Sequence, residues 1–246
     1  MFILRAAFNR VVKDIFKIAG LDLHRISAQT NPSFQLLTCL DRFGVDFVFD
    51  IGANIGQFSS ELRSVGFRGN IVSFEPLPDA FKRLSSLSAP DSSWQIHPQC
   101  AVGDVDGQIE INIAGNSVSS SILPMLAAHS TAAIGSAYVD KIEVPIVRLD
   151  SVAKLYLKDS TKYFIKIDTQ GFEWQVLNGA CETLANAQGV LCELSLVPLY
   201  EGQRLWMEVI ERLKSEGFTL WAIQKGFTDT RDGRTLQVDA IFFRTT

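Results

Sequence analysis

The sequence predicts an α/β domain built on a mostly parallel sheet. Three observations carry the prediction. Short, continuous apolar runs alternate with helical patterns from about residue 45 onward. The first run ends in the turn Asp50-Ile51-Gly52-Ala53-Asn54-Ile55-Gly56, which opens a helix. The last two runs are joined by a segment holding Asp232-Gly233, a turn dipeptide that makes an antiparallel hairpin.

Taken in order, residues 2–19 come first. Leu4, Phe8, Val11, Val12, Ile15 and Ala19 recur at helical spacing, and Gly20 is a stop. Residues 1–26 hold five Lys/Arg and two Asp, a local charge of +3. Two readings fit: a helix packed on the domain or on a partner subunit, and a peripheral membrane contact with basic residues on its polar face. This makes residues 1–44 an N-terminal helical arm and residues 45–246 the domain. Phe47–Phe49, Asn70–Phe74, Trp94–Val102, Tyr163–Ile167 and Gly189–Leu194 read as strands buried on both faces. Gln57–Val65, Pro78–Ser86, Glu173–Leu184 and Leu205–Glu216 read as the helices between them. Phe218–Gln224 and Leu236–Arg244 form the closing hairpin. Gln108–Ala114 and Ile142–Val147 are extra strands, and residues 115–141, rich in Ser, Ala and Gly, are an insertion or lid. Asp150, ahead of Ser151–Leu157, reads as a helix N-cap.

Composition narrows the function. The 246 residues are 47% hydrophobic and 20% charged, enough apolar material for a core, so a disordered chain is excluded. A net charge of −4 argues against a nucleic-acid partner, which needs a basic face. The cysteines Cys39, Cys100, Cys181 and Cys192 have no CxxC spacing, which suits reduced thiols and a cytoplasmic location rather than zinc or disulfides. No apolar stretch reaches the roughly 18–20 residues of a membrane span. Arg5, Arg10 and Lys13 break up what would be the core of a signal peptide.

The chemistry sits in the Asp50–Gly56 turn. Glycines there bring backbone close to a ligand. Glu75 follows Gly56 by 19 positions and ends the next strand, where a carboxylate can accept both hydroxyls of a ribose. A nicotinamide dinucleotide is poorly served. The offsets of GxGxxG, counted from Gly52, fall on Asn54 and Gln57, so the glycines for a pyrophosphate and for helix packing are missing. Asp50 would repel phosphate but suits an ammonium. S-adenosyl-L-methionine has that chemistry: adenosine, sulfonium, ammonium and carboxylate, without phosphate.

Asp50–Gly56 with Glu75-Pro76 resembles the first two motifs of class I methyltransferases. Phe164-Ile165-Lys166-Ile167-Asp168-Thr169-Gln170-Gly171-Phe172-Glu173, followed by Val176-Leu177-Asn178-Gly179-Ala180, is similar to the signature of FkbM-type methyltransferases. Ala101–Asp104, Ser119–Ser121, Val147–Asp150 and the Glu193 strand add to the likeness, which covers about residues 45–245. Where that family usually has Glu, this chain has Gln170.

The resemblance implies a Rossmann-like class I methyltransferase fold with a seven-stranded sheet. It also implies O-methylation of a sugar, glycan or other small metabolite, with S-adenosyl-L-homocysteine as product. Asp50, Gly52, Asn54, Gly56, Glu75, Val102, Asp104 and Asp168 are the candidate cofactor residues. Asp104 has a second reading, as a turn residue in Gly103–Gly107. Lys166, Asp168, Glu173 and Glu193 are the candidate set that orients and deprotonates the acceptor hydroxyl. The other reading of Lys166 and its acids is a structural ion pair, and Glu173 also suits the start of its helix. His129, in the insertion, is a further candidate base. No zinc spacing is present and no metal is assigned, although Asp168 and Glu193 are the pair a Mg²⁺ would use. A cofactor-binding scaffold without catalysis and a nicotinamide-dependent oxidoreductase are the alternatives. The sequence leaves the acceptor and the oligomeric state open.

Overall fold

The structure, a computed structural model, describes residues 12–245. The apolar runs pair into a seven-stranded sheet of order β3-β2-β1-β7-β8-β10-β9. Its parallel part comprises β1 (Phe47–Ile51), β2 (Asn70–Phe74), β3 (Trp94–Ile96), β7 (Tyr163–Ile167) and β8 (Gly189–Ser195). The hairpin strands β9 (Thr219–Lys225) and β10 (Gln237–Phe243) add antiparallel to β8. Each run is continuous in hydrophobicity because both faces are covered.

Side-chain parity sorts the two faces. Phe47, Phe49 and Ile51 join Ile165, Ile167, Val190 and Cys192 on one. There they meet α5 (Leu149–Val152), α6 (Glu173–Asn178), α7 (Cys181–Asn186) and α8 (Trp206–Ser215) through Leu149, Val176, Leu177, Leu184, Val209 and Leu213. On the other face Val48, Ile71, Phe164 and Leu191 meet α1 (Pro32–Phe43), α2 (Gln57–Val65) and α3 (Pro78–Ser88) through Leu36, Leu40, Leu62 and Leu84. Leu40, Leu62 and Leu84 are fully buried, each contributing about 1.5–3 kcal/mol of transfer free energy. Asn31 caps α1 by accepting from the Phe34 amide at 2.7 Å, and Phe43 at its end stacks on Phe243, ring centres 4.1 Å apart.

Several expectations are corrected. The single strand over Trp94–Val102 is two: β3 stays in the main sheet, while β4 (Ala101–Gly103) pairs with β6 (Tyr138–Arg148) in a second sheet of order β4-β6-β5, with β5 spanning Gly107–Ala114. Pro98, lacking an N–H, stands between them. The helix expected over Glu173–Leu184 breaks at Gly179, where a Cβ would come within 1.7 Å of the Gly103 carbonyl. Asp150 lies inside α5, whose N-cap is Arg148. Its carboxylate instead caps α7, accepting from the Glu182 amide at 3.1 Å and the Thr183 amide at 2.8 Å.

The segment between β5 and β6 is ordered, with a 3₁₀ turn at Ser117–Ser119 and a helix α4 (Ala127–Ala132). Of the helix expected at 2–19, residues 12–18 are helical and 1–11 lie outside the described residues. No helix among the described residues is long and apolar enough to cross a membrane.

Candidate active site

The parallel strands deliver their carboxyl ends to one cavity of about 750 Å³. A volume of that size is in the range of small-molecule binding pockets. Gly52, Asn54, Glu75, Val102, Lys166, Asp168 and Glu193 line it. Asp50, Gly56, Asp104 and Glu173 do not.

The turn after β1 is shaped by close approach. Gly52 has φ +74°, and a Cβ there would lie 1.8 Å from the Asp168 carbonyl oxygen. Only glycine lets the ends of β1 and β7 meet this closely. Beneath the turn, register places Asp50 beside Lys166. Asp50 is fully buried; its Oδ2 accepts from Ser59 Oγ at 2.7 Å and Ser73 Oγ at 3.2 Å, and its Oδ1 lies 3.2 Å from Lys166 Nζ. Its charge thus supports the turn from below instead of meeting a ligand. Gly56 starts α2 and faces Leu84 and Trp94.

Lys166 Nζ donates to the Gly52 carbonyl at 2.9 Å and the Ile51 carbonyl at 3.3 Å, and lies 3.6 Å from Asp168 Oδ2. Burial pulls its pKa down, but Asp50 and Asp168 outweigh burial and hold it above the ordinary lysine value. Lys166 is therefore a fixed cation under the turn, unavailable as a base.

Glu75, at the end of β2, is buried. Oε2 accepts from the Asn54 amide at 2.7 Å and Oε1 from the Leu77 amide at 2.8 Å. Burial pushes its pKa up to about 7, against the pull of those two amides. Each oxygen retains a lone pair for a further donor. Beside it Pro76, Leu77, Cys100, Ala101 and Val102 form an apolar wall suited to a flat ring. A ribose diol and an adenine are well matched by this acceptor and its apolar wall, and nothing among these residues cradles a pyrophosphate. Asp104 contributes nothing to the wall: β4 has left the main sheet, and the side chain is exposed in the turn to β5.

The far end is polar. Glu173 is buried as the first residue of α6, and its Oε1 accepts from the Thr169 amide at 2.9 Å and the Gly171 amide at 3.1 Å. It secures the loop after β7 rather than facing a ligand; burial, with Asp168 adding to it, puts its pKa near 7. Between Asp168 and Glu193, where a cation was conceivable, stands the amide of Gln170. Its Nε2 donates to Asp168 Oδ1 and to Glu193 Oε2, both at 2.9 Å. Gln237 Nε2 adds a 2.6 Å bond to the same Glu193 oxygen. Burial, then Asp168, Glu173 and Asp239, push the Glu193 pKa well above the ordinary glutamate value. Among the described residues no group of three or more His, Cys, Asp or Glu is placed to hold a metal.

His129 is buried in the segment covering the cavity, its Nε2 3.1 Å from Ser119 Oγ and its pKa lowered by burial. It is packed between Tyr200 and Phe227 and lines the cavity.

Three residues at this end escaped the sequence reading. Asp239 lines the cavity across the ladder from Glu193, with its pKa raised to about 6 by burial first and Asp168 next. Gln237 and Tyr200 are the others. The polar residues alternating in Gln237-Val238-Asp239, at the head of an apolar strand, were the available signal. Tyr200 had none.

The family model described as Methyltransferase FkbM domain matches residues 50–220. Methyltransferase sdnD of Sordaria araneosa is 28% identical over 160 residues, 55% of this chain and 61% of that protein, so the chain spans less than two thirds of that relative. A solved structure of a protein assigned as an O-methyltransferase from Klebsiella pneumoniae matches with TM-score 0.50 at 12% identity, covering 96% of this chain and 89% of that one. An rRNA methylase from Streptococcus thermophilus matches with TM-score 0.48 at 9% identity, covering 91% and 100%. The Klebsiella likeness shows a shared fold and no more. With the family match spanning most of the domain, from the Asp50 turn through the end of β7 to the first strand of the hairpin, the chain belongs to the FkbM methyltransferase family.

Proposed function

We propose that this chain transfers a methyl group from S-adenosylmethionine to a hydroxyl oxygen of a sugar, glycan or other small metabolite. One observation carries the reading: a single cavity is lined by two carboxylates, Glu75 and Asp168, which follow the two strands that flank β1. The cofactor, when bound, supplies an electrophilic methyl on a sulfonium. The chain's own residues do the rest. Glu75 accepts the ribose hydroxyls, and the apolar wall from Pro76 to Val102 covers the base. Asp168 orients the acceptor hydroxyl and takes its proton as the oxygen attacks. Lys166 keeps Asp168 and the Gly52 carbonyl in place, so that much of the rate comes from positioning. The segment between β5 and β6 covers the cavity and keeps water from it.

The test is release of S-adenosylhomocysteine with a panel of sugars and hydroxylated metabolites. Asp168→Asn is expected to lower turnover about 100-fold or more with little change in cofactor affinity. Undiminished turnover would remove Asp168 as the base. Product release with amine acceptors alone would replace oxygen by nitrogen in the reading.

A further inference from the structure

We propose that Gln170 is a positioning residue that couples closure of the covering segment to the setting of Asp168. The inference rests on the role given to Asp168 above. Gln170 has contacts in two directions. Toward the chemistry, one amide nitrogen reaches both Asp168 and Glu193. Toward the cover, its backbone carbonyl accepts from Ser121 Oγ at 2.6 Å. Its side-chain Oε1 accepts from Tyr200 OH at 2.9 Å, and that hydroxyl lies 3.4 Å from the Ser119 carbonyl. Ser119 and Ser121 belong to the covering segment and line the cavity.

The residue type matters at each contact. An amide nitrogen has two N–H groups, one for each carboxylate, while its oxygen is left to accept from the tyrosine. A Glu here would bring a third acceptor-only carboxylate against Asp168 and Glu193 and lose both donors. The backbone carries a cost as well. Gln170 sits at φ +52°, a region a non-glycine residue holds only when its surroundings over-determine it. Here the side chain and the carbonyl are both tied down, so the cover cannot lift from Ser121 without loosening the residue that aims Asp168.

The experiment uses the full chain and S-adenosylhomocysteine as probe. Hydrogen exchange, calorimetry and carboxyl-carbon NMR spectra are compared in wild type, Gln170→Ala, Gln170→Glu and Tyr200→Phe. Gln170→Ala is expected to speed amide exchange at residues 117–123 by about tenfold while β1 and β7 keep their protection. It should also shift the Asp168 carboxyl-carbon resonance, because the bond from Gln170 Nε2 to Oδ1 is lost, while the Glu75 resonance stays in place. S-adenosylhomocysteine affinity should stay within about threefold. Gln170→Glu should change both readouts in the same way, and Tyr200→Phe should reproduce the exchange change in weaker form. Faster exchange spread over the whole domain would mean a merely structural role and would overturn the proposal. So would an unmoved Asp168 carboxyl resonance or unchanged exchange in the cover. Failure of the wild type to bind the probe would sink the cofactor reading instead, while exchange and the Asp168 resonance would still decide the coupling.

Discussion

At the scale of single residues, the site is a set of carboxylates that burial treats differently. Glu75 has a pKa near 7 because it is buried, with two backbone amides only partly offsetting the penalty. A ribose diol donates hydrogen bonds and so selects the ionised form. Affinity for S-adenosylhomocysteine should therefore rise about tenfold between pH 6 and pH 8, as Glu75 goes from mostly protonated to mostly ionised. Calorimetry across that range checks it, and Glu75→Gln should abolish the slope. A slope that survives in the variant would assign the proton to another group. Strand ends made Glu75 and Asp168 legible in the sequence, because a carboxylate that ends a buried strand reaches the edge where open sheets bind ligands. The inward turn of Asp50 was not legible. Its orientation depends on Ser59 and Ser73, which come from different elements.

At the scale of elements, the fold depends on contacts between segments distant in sequence. Asp150 caps α7 from 31 positions upstream of its first residue, holding the amides of Glu182 and Thr183. Asp150→Ala should cost about 1 kcal/mol, and up to about 2, in a denaturant melt, while S-adenosylhomocysteine affinity is kept. No loss of stability would mean that α7 is held by packing alone. Strand and helix positions were mostly legible, since periodicity is a local property. The break of Glu173–Leu184 was not, because its cause is a backbone approach: Gly179 lies against the Gly103 carbonyl, and only the meeting of α6 with β4 creates that constraint.

At the scale of the whole molecule, one cavity draws on both halves of the sheet and on the covering segment. Ligand binding should thus stabilise the domain as a unit. S-adenosylhomocysteine at a hundred times its Kd is expected to add about 2.7 kcal/mol, a Tm rise of about 5–10 °C for a chain of this size. NAD should add nothing. An equal rise with NAD would favour a dinucleotide site after all, and no rise with either would count against a cofactor pocket. Charge is unevenly spread at this scale: the +3 of residues 1–26 leaves −7 for the remainder. The acidic side of that balance includes the carboxylates gathered at the end of the cavity, Asp168, Glu193 and Asp239.

The amino-acid sequence by itself determined the alternation of strands and helices, the antiparallel ending, the turn after β1 and the strand-end acids, because each follows from local periodicity or a short motif. Tertiary structure alone decided which of those acids face the cavity. It split the strand at Pro98, buried His129, and brought Gln170, Tyr200 and Ser121 together from three segments. Those outcomes depend on which backbones approach and which hydrogen bonds close across the sheet, and such contacts have no signature within any one stretch of chain.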